Sequence, residues 1–169
     1  MRNPFVPIAR FFALSRHRSK VPTSITPLGQ CASVAVFVDG SENGVQACVD
    51  DVFRFFETAG KLCRIFVVNQ GETPLVLERC EVLNRKNIKW FGRPKRNRKS
   101  PVVDGSEQLF INLAGPLCYP AYYSMLCSRA KFKIGIYPSA HPDTLITGTD
   151  GYTQRQIFDQ IASILKSIV

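Results

Sequence analysis

The residues best suited to chemistry lie in one basic segment, residues 85–99, which reads RKNIKWFGRPKRNRK. It holds eight basic residues and no acid, with two aromatic rings at its centre. A basic loop with an exposed aromatic ring suits a phosphate backbone and a stacked base, or else the anionic surface of a membrane. The residues expected to bind such a polyanion, whether nucleic acid or membrane surface, are Lys89, Trp90, Arg93, Lys95, Arg96, Arg98 and Lys99. The alternative is a solvated loop in which Trp90 and Phe91 pack inward as core.

A second set of polar residues follows predicted strands and comprises Asp39, Gly40, Ser41, Asn112 and Cys118. In an open parallel sheet, ligands bind at the carboxyl ends of the strands near a topological switch point. A pocket there would suit an enzyme, or the start of the following helix could hold a phosphate. Glu42 in that turn argues against a phosphate, because its carboxylate would repel one. The alternative is an ordinary strand-to-helix turn with no ligand.

Cys118 follows a Gly-Pro turn near the start of a predicted helix, a position that can lower the pKa of a thiol. A nucleophilic cysteine also needs a base, and His141 is the candidate outside the N-terminal segment. The alternative is an inert, half-buried cysteine, so we assign no catalytic residue. Because the six cysteines form no CxxC pair and only two histidines are present, we expect neither a metal nor a cofactor.

Composition is typical of one soluble globular domain. The chain has 169 residues, of which 45% are hydrophobic, and no apolar run approaches the ~18 residues that span a bilayer. A chain of this length has enough core to fold without disulfides, which favours a reducing, cytoplasmic location.

The net charge of +9 is unevenly distributed. Residues 1–30 carry five basic residues and no acid, and residues 79–99 carry nine basic residues and one acid. We therefore divide the chain into a basic N-terminal segment, 1–30, and a domain, 31–169. The segment could be a solvated tail, a short helix over 8–18 packed on the body, a helix lying on a membrane surface, or an organellar leader. We expect it to be dispensable for folding.

Hydrophobic periodicity predicts a β-α-β unit at the start of the domain. Residues 33–38 form an apolar run typical of a central parallel strand, and 62–68 form the next strand. Between them, residues 44–59 show helical spacing, with Ser41 or Asn43 as the cap and Gly60 after the end. The expected buried stripe of this helix is Val45, Cys48, Val49, Val52, Phe53 and Phe56.

A second unit follows: a strand over 109–113, a helix over 119–130 and a strand over 132–137. Residues 144–147 suit an edge strand, and 153–168 a closing helix. Periodicity does not decide between strand and helix for 75–83. Two crossover units predict an α/β fold: a single-domain, three-layer sandwich with a mostly parallel central sheet.

The pieces SVAVFVDG, NIKWFGRPK, QLFINLAG and YYSMLCSRAKFKIG resemble a small uncharacterised bacterial family, a domain of unknown function. This resemblance implies a basic N-terminal segment joined to an α/β domain, and no activity. Residues 109–113 with 129–135 are more weakly similar to the N-terminal half of heptosyltransferase-like glycosyltransferases. The chain is far too short for a two-domain enzyme of that kind.

Two classes of function remain. The favoured one is a non-catalytic cytoplasmic binding or adaptor domain that contacts an anionic partner, either a nucleic acid or a membrane surface, through its basic segments. The alternative is a glycosyltransferase-like or hydrolase-like enzyme with its site at the carboxyl ends of the strands.

Overall fold

The computed structural model describes residues 4–95, 107–115, 117–135, 145–146 and 151–168. Within these residues, four α-helices and six strands form one α/β domain. The helices are α1 (Phe5–His17), α2 (Val45–Thr58), α3 (Tyr119–Cys127) and α4 (Gln154–Ser167). The strands are β1 (Ser33–Asp39), β2 (Leu62–Asn69), β3 (Glu81–Asn84), β4 (Leu109–Asn112), β5 (Phe132–Gly135) and β6 (Leu145–Ile146).

The six strands form one sheet in the order β3-β2-β1-β4-β5-β6, and every neighbouring pair is parallel. The chain moves outward from β1 to β3, then crosses back to β4 on the other side of β1. This reversal places a topological switch point between the carboxyl ends of β1 and β4, the position where open α/β sheets bind ligands. The predicted three-layer sandwich with a parallel sheet is confirmed.

Each face of the sheet has its own core. Helices α2 and α4 cover one face, where Val36, Ile111 and Ile134 point into a cluster with Phe56 and Phe158. Helix α3 covers the other face, where the ring of Phe37 stacks between those of Phe66 and Phe110 at centroid distances of 4.9 and 5.1 Å. Central parallel strands bury both faces, which explains why β1 reads as a continuous apolar run.

Two details of α2 differ from expectation. The predicted caps, Ser41 and Asn43, are not used: Gly44 precedes the helix in a left-handed conformation, and no side chain caps it. The Ser41 hydroxyl instead donates to Asp39. Phe53 is only partly buried, because the stripe centres on Val49, Val52 and Phe56 and leaves Phe53 at its margin, under Arg79. Gly60 does adopt the left-handed conformation expected after the helix end.

Elements near the middle and end of the chain are shorter than predicted. Helix α3 stops at Cys127 rather than 130, since Ser128 is extended. The ambiguous stretch 75–83 is mostly loop, and only Glu81–Asn84 forms a strand, at the sheet edge. Residues 136–144 lie outside the described residues, so the predicted continuation of β5 to residue 137 does too.

The N-terminal segment packs on the body through α1. Ala13 is buried against the tyrosines of α3, and Leu14 is partly buried there. After the helix, the backbone N–H groups of Ser19 and Ser24 donate to the carbonyls of Leu126 and Lys131. Of the alternatives for residues 1–30, the structure therefore shows a short helix packed on the body.

Candidate functional site

A basic cleft of about 680 Å³ opens at the carboxyl edge of the sheet, beside the first turn of α3. Its lining combines three cationic side chains with two aromatic rings, and no acidic residue of the described chain belongs to it. The lining residues are Arg10, Gln70, Arg85, Ile88, Lys89, Trp90, Gly92, Tyr119 and Pro120. The volume lies within the range of small-molecule sites, ~300–1,000 Å³.

Four parts of the chain build this cleft. Helix α1 supplies Arg10, and the loop after β2 supplies Gln70. The residues after β3 supply Arg85 and Lys89, and the first turn of α3 supplies Tyr119. The loop after β2 is shaped by Asn69, whose side-chain oxygen accepts from the N–H of Gly71 at 2.9 Å. Because strand ends and a helix start meet here, the cleft lies on the side of the sheet where α/β folds bind ligands.

Two contacts hold Arg10 in the cleft wall. Its Nε donates to the carbonyl oxygen of Phe91 at 2.9 Å, and its guanidinium carbon lies 3.9 Å from the centroid of the Tyr119 ring. Gly92 fits tightly beside them, because a Cβ there would lie 2.6 Å from Cδ1 of Tyr119. Its φ of +97° also favours glycine. Helix α1, the loop and α3 therefore meet at one point.

A second contact fastens the same three elements further along. Nη1 of Arg93 lies 3.0 Å from Nε2 of His17, and its guanidinium lies 5.8 Å from the Tyr123 ring centroid. A guanidinium has only donors, so Nε2 of His17 is the acceptor. Arg93, predicted to bind the partner, is thus half-buried in a structural contact and does not line the cleft.

The aromatic pair divides its roles. Phe91 is partly buried against α3, whereas Trp90 is 63% exposed, with its ring 5.3 Å from that of Phe91 in an edge-to-face arrangement. The interpretation in which both rings pack inward is therefore wrong for Trp90. Residues 89–92 form the tight turn that presents it, closed by a hydrogen bond from the N–H of Gly92 to the carbonyl of Lys89 at 2.8 Å.

The predicted basic residues are spread over different positions. Lys89 is exposed and lines the cleft beside Arg85, whose ion pair with Glu72 is long, 3.6 Å, and solvent-exposed. Such an exposed pair contributes little to stability, so the Arg85 guanidinium can leave Glu72 and bind another anion. Lys95 is exposed beyond the cleft, with its N–H bonded to the carbonyl of Asn87. Arg96, Arg98 and Lys99 lie outside the described residues.

The polar residues predicted at the strand ends do not line the basic cleft. Asp39 ends β1, and its carboxylate accepts from the N–H and the hydroxyl of Ser41 at 2.9 and 2.8 Å. The backbone of Asp39 is paired with the buried side chain of Gln154, which accepts from its N–H and donates to its carbonyl. The N–H of Gln154 in turn donates to Glu42. The turn containing Gly40 is thus bonded to the start of α4.

Cys118 and Asn112 are enclosed rather than presented. Cys118 is 1% exposed, and burial raises the pKa of its thiol to about 12, with Asp39 adding to the rise. A thiol of that pKa is protonated at neutral pH, which fits the alternative of an inert cysteine. Asn112 is 2% exposed, and its Oδ1 has no hydrogen-bond partner. His141, the proposed base, lies outside the described residues.

The described residues contain no group of three His, Cys, Asp or Glu side chains that could hold a metal ion, and their six cysteines are free thiols. Nor does any helix in the described ranges have the length and apolar character to cross a bilayer.

Helix α1 presents a separate surface to solvent. Four of its apolar side chains are 53–68% exposed, on the side away from α3: Phe5, Ile8, Phe11 and Phe12. Beyond the C-terminal end of the helix is a second basic groove, of about 700 Å³, whose cationic lining residues are Arg16, Arg18, Lys20 and Arg129.

Sequence reasoning did not assign Arg10, Gln70 or Tyr119 to the site. Arg10 belongs to the N-terminal segment that we divided from the domain, and Tyr119 to the predicted helix over 119–130. The available signal was the spacing of Arg10, Ala13, Leu14 and His17, which places four residues on one helical face.

Fold and cleft together define a three-layer α/β domain with a cationic, aromatic-lined site at the carboxyl edge of its sheet. The chain belongs to DUF6913, a family of unknown function, whose model matches residues 12–167. This confirms the resemblance to a domain of unknown function, and the matched range includes the second half of α1. No curated protein and no solved structure matches the chain, so the similarity to heptosyltransferase-like enzymes is not supported.

Proposed function

We propose that this protein is a non-catalytic binding domain of the bacterial cytoplasm that holds an anionic, phosphate-bearing partner in the basic cleft. The observation that carries the proposal is the convergence of Arg10, Arg85 and Lys89 on one cleft with no acid in its described lining. Like charges brought together this way repel one another, so the arrangement is unfavourable for the isolated domain and is relieved by an anion.

Two further features support binding over catalysis. Among the described residues, the cleft lining contains no carboxylate, histidine or cysteine that could act as general base or nucleophile. The enzyme alternative relies on side chains at the strand ends, and these are not presented to a substrate. The carboxylate of Asp39 accepts a hydrogen bond from Ser41, and Cys118 is buried. A glycosyltransferase-like or hydrolase-like activity would need Cys118 and Asn112 to become accessible.

The test is retention of the folded protein on a polyphosphate resin at rising salt concentration. The double variant Arg85→Ser/Lys89→Ser should elute at clearly lower salt than the parent. The matched control is Arg54→Ser/Lys166→Ser, which removes the same charge from α2 and α4 on the opposite face of the sheet. Equal elution of the two double variants would show that retention depends on net charge alone. This result would contradict the proposal that the cleft is the binding site.

A second candidate function is attachment to an anionic membrane surface, favoured by the outward apolar face of α1 and the adjacent basic groove. Aromatic and aliphatic side chains would enter the interface, while the groove residues would meet lipid headgroups. Full-length protein should then sediment with phosphatidylglycerol vesicles and not with phosphatidylcholine vesicles. Phe11→Ser/Phe12→Ser should abolish sedimentation, and unchanged sedimentation would remove this candidate.

A further inference from the structure

We infer that the ligand of the basic cleft is a single-stranded nucleic acid, with its phosphates on Arg10, Arg85 and Lys89 and one base stacked on Trp90. This inference rests on the proposed anion binding and adds to it the chemical class of the partner. The added observation is the juxtaposition of an exposed indole with the cations of the same cleft.

Arg10 supplies a preorganised phosphate contact. The bond to Phe91 uses only Nε, so the two terminal nitrogens with their four N–H groups are not consumed by it. Packing on Tyr119 fixes the plane of the guanidinium, so a phosphate would bind with little further loss of side-chain freedom. Arg85 is the opposite case, since its long, exposed pair with Glu72 is easily exchanged for a phosphate.

Trp90 supplies the contact that distinguishes a nucleic acid from other polyanions. The turn at 89–92 holds the indole at the cleft, where it is 63% exposed, while Phe91 anchors the turn on α3. Every base has a π-face, so an exposed aromatic ring beside a cationic groove is the common arrangement for single strands. Polyphosphate and lipid headgroups offer phosphates but no planar ring, and a duplex keeps its bases stacked inside.

The chain is well suited to a direct test, because Trp90 is its only tryptophan. Intrinsic fluorescence therefore reports on the cleft without a label. The full-length protein is titrated at ~50 mM salt with an oligothymidylate of about ten nucleotides, the size of a typical single-strand site. The parallel probes are an abasic strand of equal length, inorganic polyphosphate, a duplex and phosphatidylglycerol vesicles.

The oligothymidylate should quench Trp90 and bind at least about tenfold more tightly than the abasic strand. Trp90→Ala, measured with labelled strands, should remove that tenfold preference and leave abasic binding unchanged, whereas Trp90→Phe should keep most of it. Arg85→Ser/Lys89→Ser should weaken both strands and lower the slope of log affinity against log salt by about 1.4.

The possible outcomes separate the two proposals. Equal affinity for oligothymidylate, abasic strand and polyphosphate, all lost in Arg85→Ser/Lys89→Ser, would overturn the nucleic-acid inference and leave the anion-binding function standing. Binding to vesicles alone would overturn the inference in favour of a membrane surface. No measurable binding to any of these probes at ~50 mM salt would overturn both.

Discussion

The guanidinium of Arg10 stacks on the ring of Tyr119, with 3.9 Å between the guanidinium carbon and the ring centroid, and so joins the N-terminal helix to the body of the domain. The same guanidinium bonds the carbonyl of Phe91, which fixes the loop that carries Trp90. One side chain from the segment that was expected to be dispensable thus supports both the packing of α1 and the wall of the cleft.

Arg10→Ala should lower the free energy of unfolding by about 1–3 kcal/mol, because it removes a cation–π contact and a charged hydrogen bond to a carbonyl. Urea unfolding followed by circular dichroism measures this. Arg16→Ala on the same helix is the control, since Arg16 is exposed and its loss should change stability by less than about 0.5 kcal/mol. A stable Arg10→Ala variant would mean that α1 is only loosely attached.

Deletion of residues 1–18 should likewise lower the melting temperature, because it uncovers Tyr119, Tyr123 and Cys127, which pack against Ala13 and Leu14. This opposes the expectation from the sequence that residues 1–30 are dispensable. Differential scanning fluorimetry of the truncated chain decides between them, and an unchanged melt would restore the original expectation.

The contrast between α1 and α2 shows how far sequence reasoning reached. In α2, apolar residues at helical spacing face the core, and the prediction failed only at the margin, for Phe53. In α1, the large apolar residues Phe11 and Phe12 face solvent, while the inward face is built from Arg10, Ala13 and His17. Periodicity detects burial of apolar surface, so it cannot detect a helix that docks through cation–π contacts and hydrogen bonds.

The cleft was predictable only in part, for a related reason. The basic turn around Trp90 is visible in the sequence, because charge and aromatic content are local properties. Its neighbours Arg10 and Tyr119 are far away along the chain, and only the packing of α1 on α3 brings them together. The ends of β1, β2 and β4 were predicted to within one residue, yet whether Cys118 is presented or enclosed depends on how the helix covers it.

Phe56→Ala should lower the free energy of unfolding by about 3–5 kcal/mol, since Phe56 of α2 is fully buried in the core that α2 shares with α4. Phe53→Ala should have a smaller effect, about 1–2 kcal/mol, because the side chain is only partly buried and less apolar surface returns to water. Chemical denaturation of both variants under identical conditions provides the comparison. Equal losses would indicate that Phe53 contributes as much to the core as Phe56, as the sequence alone predicted.

Stability should fall at alkaline pH because of the buried thiols. Burial raises the pKa of the Cys118 thiol from an ordinary 9.0 to about 12. It raises the pKa values of Cys48 and Cys63 to about 12 as well. Between pH 9 and 12 the unfolded chain releases protons that the folded protein keeps, so the free energy of unfolding decreases as the pH rises. Each thiol contributes up to about 1.4 kcal/mol per pH unit.

Urea unfolding with reductant at pH 8, 9 and 10 measures this fall. Cys118→Ala is the informative variant, because it removes one thiol and should make the decrease less steep than in the parent. Parallel curves for the parent and Cys118→Ala would show that the thiol ionises as readily in the folded protein as in the unfolded chain.

Gly92→Ala should damage both stability and the cleft. A φ of +97° strains any residue with a Cβ, by about 1–3 kcal/mol, and the new methyl group would lie 2.6 Å from Cδ1 of Tyr119. Gly44→Ala is the matched control: Gly44 also has a positive φ, +79°, but a Cβ there meets no atom within 4 Å. Both variants should lose stability, and only Gly92→Ala should also lose affinity for the oligothymidylate. If Gly92→Ala binds that strand as tightly as Gly44→Ala does, the contact between Gly92 and Tyr119 is not part of the binding site.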